Sequence, residues 1–364
     1  MSGVPAIVLV INHKPQLFRK GSLRYRNDPV HEGYELLSSR KLGTLQNPIW
    51  HADGEVPVRD LVTTVRNVSA VFGIDIRSHA RSSGVFLGQD RRLHLTWRIL
   101  LAGLGLFSCV LIIGMAGQAA TAWLPPVISR AVAGLGLSAS ALGLVFLLRR
   151  HADRRPWSGI GLTLDRAAIP HLLLGIVLAT MVTTVAAAAT VQLGLAEWSW
   201  SADATDKLPD QGLATTIIVI AMSTLLVQGF PEELVFRGYM FRNLGATLPL
   251  WATVATSSLI FGSMHVFSNG GATTLGERVL YAVVMTGFGL MLAVCRTVSG
   301  ALWLGIGFHG GYDAFNGHLI TVDQDAFIPA SLTMLAVLIV GAAFTAAARQ
   351  WRAGLSWRAV PGDA

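Results

Sequence analysis

From Trp97 onward the chain alternates long apolar runs with short polar breaks. Each run approaches the roughly 20 residues that a bilayer's hydrocarbon core demands of a helix, and about eight such helices fit. They fall near residues 97–121, 126–148, 167–195, 212–243, 250–268, 277–296, 299–316 and 329–348. The fourth is longer than a crossing requires and contains Pro231. Proline disfavours helical geometry in the residue before it and removes a backbone donor, which predicts a kink or break just before Glu232. Residues 1–93 depart from the pattern, being polar and basic without helical period or repeat. Their one apolar run, Ala6 to Ile11, is too short to span or to form a convincing signal core, and it leads into Asn-His-Lys-Pro. Three readings stay open for this stretch: a poorly ordered cytoplasmic extension, a translation start placed too early (the true one lying near Val85 or Leu93), or a small folded domain. The fold class predicted is all-α, a polytopic membrane helix bundle of about eight transmembrane helices with a poorly ordered N-terminal extension. Its parts would be the extension (1–93), the first three helices and their loops (94–211), a core (212–348) and a cytoplasmic tail (349–364).

Composition agrees with this. Of 364 residues 52% are hydrophobic and 13% charged, against about 25% charged in soluble domains. The net charge of +7 needs no nucleic-acid partner, because arginines flanking the spans account for it. Arg91, Arg92, Arg98, Arg149, Arg150, Arg154, Arg155, Arg237, Arg242, Arg296, Arg349, Arg352 and Arg358 fall at one set of helix ends. The alternate loops carry Glu197, Asp203, Asp206, Asp210, Asp323 and Asp325, with Lys207 and Arg278, and Arg130 is a mild exception. By the positive-inside rule both termini are expected in the cytoplasm and the protein in the cell (inner or plasma) membrane. The acidic loop Ala196 to Gln211 is then external, with Trp198 and Trp200 anchoring a helix end at the interface. Cys109 and Cys295 lie inside predicted spans and read as apolar filler. Nothing in the sequence bears on oligomeric state.

The candidate chemistry sits where lipid should forbid it. Glu232, Glu233 and Arg237 follow the apolar run Leu213 to Gln228, and each such charge costs roughly 2.5–3.5 kcal/mol at a membrane helix centre. Glu233 and Arg237, four apart, face each other on a helix, whereas Glu232 points roughly 100° away and is left unpaired. Two later apolar helices each bury a histidine, in Phe261-Gly-Ser-Met-His265 and His309-Gly-Gly-Tyr-Asp313. Asp313, one turn beyond His309, can orient its imidazole or share the site. Gly305, Gly307, Gly310 and Gly311 surround His309 and favour close helix packing.

The order Glu-Glu-x-x-x-Arg, Phe-x-x-x-His, His-x-x-x-Asp on successive spans resembles the CPBP family of intramembrane proteases, which are CAAX-prenyl-protease-like or bacteriocin-processing (Abi) proteins. The resemblance covers about Leu213 to Ala348. It implies an endopeptidase acting on a membrane peptide or protein, with Glu232 and His265 activating water and His309, placed by Asp313, stabilising the oxyanion. Glu233 and Arg237 would brace the helix and tune Glu232. The family uses Asn or Asp at the last position, and an ionised Asp313 positions His309 better than it donates a hydrogen bond. Family usage favours catalysis without an obligatory cofactor. A zinc ion held by Glu232, His265 and His309 stays open, although no His-Glu-x-x-His occurs. Two other functions are compatible with the fold: an inactive membrane scaffold or bacteriocin-immunity protein, and a proton-coupled transporter.

Overall fold

A computed structural model of the chain describes residues 7–11, 14–18, 86–87, 92–121, 123–199, 212–268, 270–316 and 319–353. The chain divides into two units, Met1–His79 and Ala80–Ala364. In the first, β1 (Ile7–Ile11) and β2 (Lys14–Phe18) form an antiparallel hairpin with Ile11 opposite Lys14. The apolar run at Ala6–Ile11 is thus largely a strand. The remainder of the N-terminal extension, and the readings of it, lie outside the described residues. So do most of the acidic loop, including Trp200, and most of the tail beyond 353.

The second unit is helical, with short strands at one end. Its helices are α1 (Leu95–Thr121), α2 (Pro126–Leu147, continued by a π turn to Asp153), α3 (Ala168–Gln192), α4 (212–245), α5 (Leu250–Met264), α6 (Leu275–Ser299), α7 (Trp303–Phe315) and α8 (Phe327–Ala353). Each helix expected from the apolar pattern has a counterpart. Among the described residues seven are long and apolar enough to cross a membrane, which fits the expected polytopic bundle of about eight helices. The exception is α7, whose 13 residues make only about 20 Å of helix at 1.5 Å per residue. It starts late because Gly300 ends α6 in the left-handed conformation (φ 69°). The segment after α2 then caps α7: Leu302 N–H donates to Gly161 O at 2.9 Å, and Trp303 Nε1 donates to Thr163 O at 2.5 Å. At one end of the bundle β3 (Ala196–Trp198) and β4 (Ile320–Val322) pair antiparallel, tying the segment after α3 to the one after α7.

Pro231 does not break α4. Helical geometry persists through Phe230 (φ −69°, ψ −51°), because π turns over Ser223–Gly229 and Leu234–Met240 flank a four-residue α segment. Phe230 N–H reaches back five residues to Leu225 O. The wider turn absorbs the proline that a regular ladder would reject. From Pro231 to Leu244 every residue is buried except Glu232, which is partly exposed. A helix surrounded on all sides forms the centre of a bundle.

Two devices hold the helices around α4. The first is a polar knot on Asp153, which is fully buried. It accepts from Tyr239 Oη (2.8 Å), Asn243 Nδ2 (3.1 Å) and Arg149 Nη1 (3.2 Å), with Arg98 Nη1 at 3.4 Å. Arg98 also donates to Asn243 Oδ1 at 2.6 Å. This fastens α1, α2 and α4 together. Arg149, like Arg242 and Arg296, is therefore a buried structural cation and not the exposed loop charge that its position suggested. The second is close approach of α3 and α7. A Cβ on Gly175 would overlap the Leu304 carbonyl, and one on Gly307 would overlap that of Leu172. Small residues at such a crossing let membrane helices gain dispersion contacts that lipid does not supply.

Gly175→Val is accordingly expected to destabilise the bundle by about 1–3 kcal/mol, since backbone cannot yield as a side chain does. Gly143→Ala, whose added Cβ meets nothing within 4 Å, should leave the melting midpoint in detergent unchanged. Equal midpoints for the two variants would contradict the packing account.

Candidate active site

The three motifs project from α4, from the end of α5 and from α7. Arg237 Nη1 donates to Glu233 Oε1 at 3.0 Å, both side chains being fully buried. The four-residue spacing survives the π turn. Arg237 Nη2 donates to Gly289 O of α6 at 3.1 Å, and its guanidinium carbon lies 4.2 Å from the centroid of Phe261. The cation is thus held by a carboxylate, a carbonyl and an aromatic face, which is what a buried guanidinium requires. Arg296 Nε, 3.3 Å from Arg237 O, ties the same turn to the lower part of α6.

Glu233 has a second partner. His309 Nδ1 stands 3.1 Å from the same Oε1 that accepts from Arg237. A carboxylate oxygen already engaged by a cation acts as acceptor, so Nδ1 carries the proton and Nε2 turns to the other side. There Nε2 lies 3.4 Å from Asp313 Oδ2 and 3.9 Å from Glu232 Oε2. The contact to Asp313 is a charge contact without hydrogen-bond alignment. The hydrogen bond that orients the His309 ring therefore comes from Glu233, a role the sequence reading gave to Asp313. Asp313 and Glu232 meet its working edge.

His265 joins this cluster through Phe261. Its Nδ1 is 2.9 Å from Phe261 O. Because a carbonyl only accepts, Nδ1 is the donor and Nε2 is left with a free lone pair. Phe261 packs near both imidazoles, its ring centroid 4.6 Å from that of His265 and 6.1 Å from that of His309. Phe288 packs its ring 5.0 Å from His309 at 89°. Burial separates the acidic groups: the side chain of Glu233 is 0% exposed, while Glu232 keeps 23% and Asp313 21%. Two carboxylates thus face accessible space and one is sealed behind them.

The match to known families covers this same region. Residues 214–315 match the family model described as type II CAAX prenyl endopeptidase Rce1-like. No curated protein matches the chain. The matched segment contains all three motifs, and it supports an intramembrane endopeptidase of the CAAX type. The resemblance read from the motifs alone points to the same group. Together with the match, the seven candidate spans support a multi-pass membrane protein.

Among the described residues no three His, Cys, Asp or Glu side chains are arranged to hold a metal ion. Glu232, His265 and His309 do not form such a group as placed. Sequence reasoning missed Phe288, the Gly289 carbonyl and the steric role of Gly305. Gly287 and Gly289 on either side of Phe288 were the available signal, since paired glycines in a helix mark close approach. A Cβ on Gly305 would come within 2.9 Å of Glu233 Oε2, so that glycine makes room for the carboxylate.

Removing either Glu233 or Arg237 alone strands a buried charge, at a cost of about 3–5 kcal/mol. Glu233→Ala and Arg237→Ala should each lower the unfolding midpoint sharply. The apolar double variant Glu233→Leu/Arg237→Met should recover most of the loss. Additive losses in that double-mutant cycle would show that the two side chains do not act as a pair.

Proposed function

We propose that the protein is an intramembrane endopeptidase that hydrolyses a peptide bond of a membrane-associated substrate, with Glu232 as the base that activates water. The observation that carries this reading is the selective accessibility of Glu232. It is the one residue between Pro231 and Leu244 that is not buried, and it lies 3.9 Å from a histidine held from behind by Glu233. A buried ion pair that served only as a brace would not require an accessible carboxylate beside it.

In the proposed reaction Glu232 removes a proton from water as the water oxygen bonds to the scissile carbonyl carbon. His265, with Nε2 free, shares in positioning that water. The carbonyl oxygen takes up negative charge and accepts from His309 Nε2–H in the protonated imidazole, whose charge Glu233 and Asp313 balance. Collapse of the tetrahedral intermediate breaks the C–N bond, and Glu232 returns its proton to the leaving amine. Preorganisation supports this assignment: His309 is locked by Glu233 and by the Phe261 and Phe288 rings before any substrate arrives. The substrate belongs to a class that enters a membrane-embedded site, namely a peptide anchored in or lying on the bilayer. The matched family's description names CAAX prenyl endopeptidases, and a lipidated C-terminal peptide is one member of that class.

Cleavage of a membrane-peptide library in liposomes tests the reading. Glu232→Gln and His265→Ala are expected to lose about 10²–10⁴-fold in turnover, the usual worth of a general acid–base group, while keeping the wild-type melting midpoint. Turnover equal to wild type in both would remove the mechanism. A chelator in the same assay should leave the wild-type rate unchanged; a loss restored by zinc would transfer water activation to a metal.

A further inference from the structure

Outside the motifs, Arg149, Arg150, Arg154 and Arg155 gather at the end of the α2 span. An open cavity of about 550 Å³ there is lined by residues that include Phe146, Arg149, Arg150, His151, Arg154, Arg155 and Trp157. Charge balance around it is one-sided. Asp153 beneath it already accepts from Tyr239, Asn243 and Arg149, so its capacity is filled. Among the described residues none of Arg150, Arg154 and Arg155 pairs with a carboxylate. Burial pushes Arg155 below the usual guanidinium range, and neighbouring Arg92, Arg149 and Arg98 push in the same direction against Asp153. Like charges gathered into one concavity repel, and an anion relieves that repulsion.

The backbone holds this arrangement. Arg154 is the one non-glycine residue with positive φ (52°) among the described residues. It ends the π turn, and Arg155 N–H then returns to Arg149 O at 3.0 Å. The turn folds Arg154 and Arg155 back beside Arg149 and Arg150, where a continuing helix would have carried them onward. The opposite wall is apolar. Phe146 lines the cavity, and both it and Leu147 are exposed on the lipid-facing surface of α2. Span and loop meet at Asp153, which sets the guanidinium groups at headgroup depth and Phe146 among acyl chains. A ligand satisfying both walls is amphipathic, with an anionic phosphate and a hydrocarbon tail.

We propose that this cavity is a binding site for an anionic phospholipid, the phosphate seated among Arg150, Arg154 and Arg155 and an acyl chain lying along Phe146. The site is separate from the catalytic motifs and independent of the protease reading. Guanidinium groups match phosphate oxygens with paired donors, and Trp157 suits an interfacial position. Free inorganic phosphate shares the headgroup chemistry but has no use for the apolar wall.

The test uses full-length protein purified in a neutral detergent. Phosphatidylglycerol, phosphatidylcholine and inorganic phosphate are each titrated while the melting midpoint is followed, and bound lipid is counted by native mass spectrometry. Phosphatidylglycerol is expected to raise the midpoint and remain bound, and phosphatidylcholine and phosphate to do neither. Arg150→Gln/Arg154→Asn/Arg155→Gln should weaken phosphatidylglycerol binding on the order of a hundredfold, from about a fivefold effect per basic residue. Asn at 154 keeps the left-handed turn accessible, and the lipid-free midpoint and helicity report whether the variant folds. Arg150→Lys/Arg155→Lys, which retains charge without the paired donors, should bind more tightly than the triple variant and more weakly than wild type. Equal binding of phosphatidylcholine, equal stabilisation by phosphate, or undiminished binding by the folded triple variant would each overturn the site.

Discussion

One carboxylate oxygen organises the centre of this molecule. Glu233 Oε1 accepts from Arg237 on its own helix and from His309 on α7. In a medium without water, neither cation nor imidazole can find a substitute partner, and an unpaired charge at that depth is prohibitive. The requirement that Glu233 satisfy both fixes the rotation of α4, the approach of α7 and the face that Glu232 presents. It also makes space a condition of charge: Gly305 lies against Glu233, and the α3–α7 crossing at Gly175 and Gly307 allows the helices near enough for the contact.

The same helix is secured again one to two turns later. Tyr239 and Asn243 reach Asp153, which joins them to Arg98 and Arg149, and Arg296 holds the Arg237 carbonyl from α6. Glu232 thus projects from a segment clamped on both sides. Side chains so held change little when substrate arrives, and preorganised dipoles are the largest contribution to stabilising charge that develops in an acyl-transfer transition state. The π turns fit this arrangement. They admit Pro231 without a break and widen the helix where the polar residues emerge, as π-bulges often do at functional sites.

Much of this was legible in the amino-acid sequence, for a physical reason. Spans of apolar residues about 20 long have one use, and charges inside them stand out against that background. Helix positions and the Glu233–Arg237 pairing follow from length and from the 3.6-residue period, whereas the 3.9 Å contact of Glu232 with His309 does not. What failed to show depended on contacts between distant parts of the chain. Nothing local distinguishes Asp153 or Arg149 from ordinary loop charges, since their burial arises only when Tyr239 and Asn243 fold against them. The shortness of α7 is hidden because residues 299–316 are as apolar as a full crossing, and only Gly300 and the capping segment from 159 to 163 delay its start. Asp313 was the natural candidate to orient His309 because it is one turn away. Glu233, 76 residues distant, takes the hydrogen bond instead.

The central claim is that Glu233 holds His309 through its Nδ1 proton. Solid-state ¹⁵N NMR of histidine-labelled protein in lipid bilayers measures it directly, with His309→Gln used to assign the signal. The account predicts a protonated Nδ1 at His309 whose resonance moves in Glu233→Gln and stays in place in Asp313→Asn. A bare Nδ1, or a signal that responds to Asp313 and ignores Glu233, would contradict it.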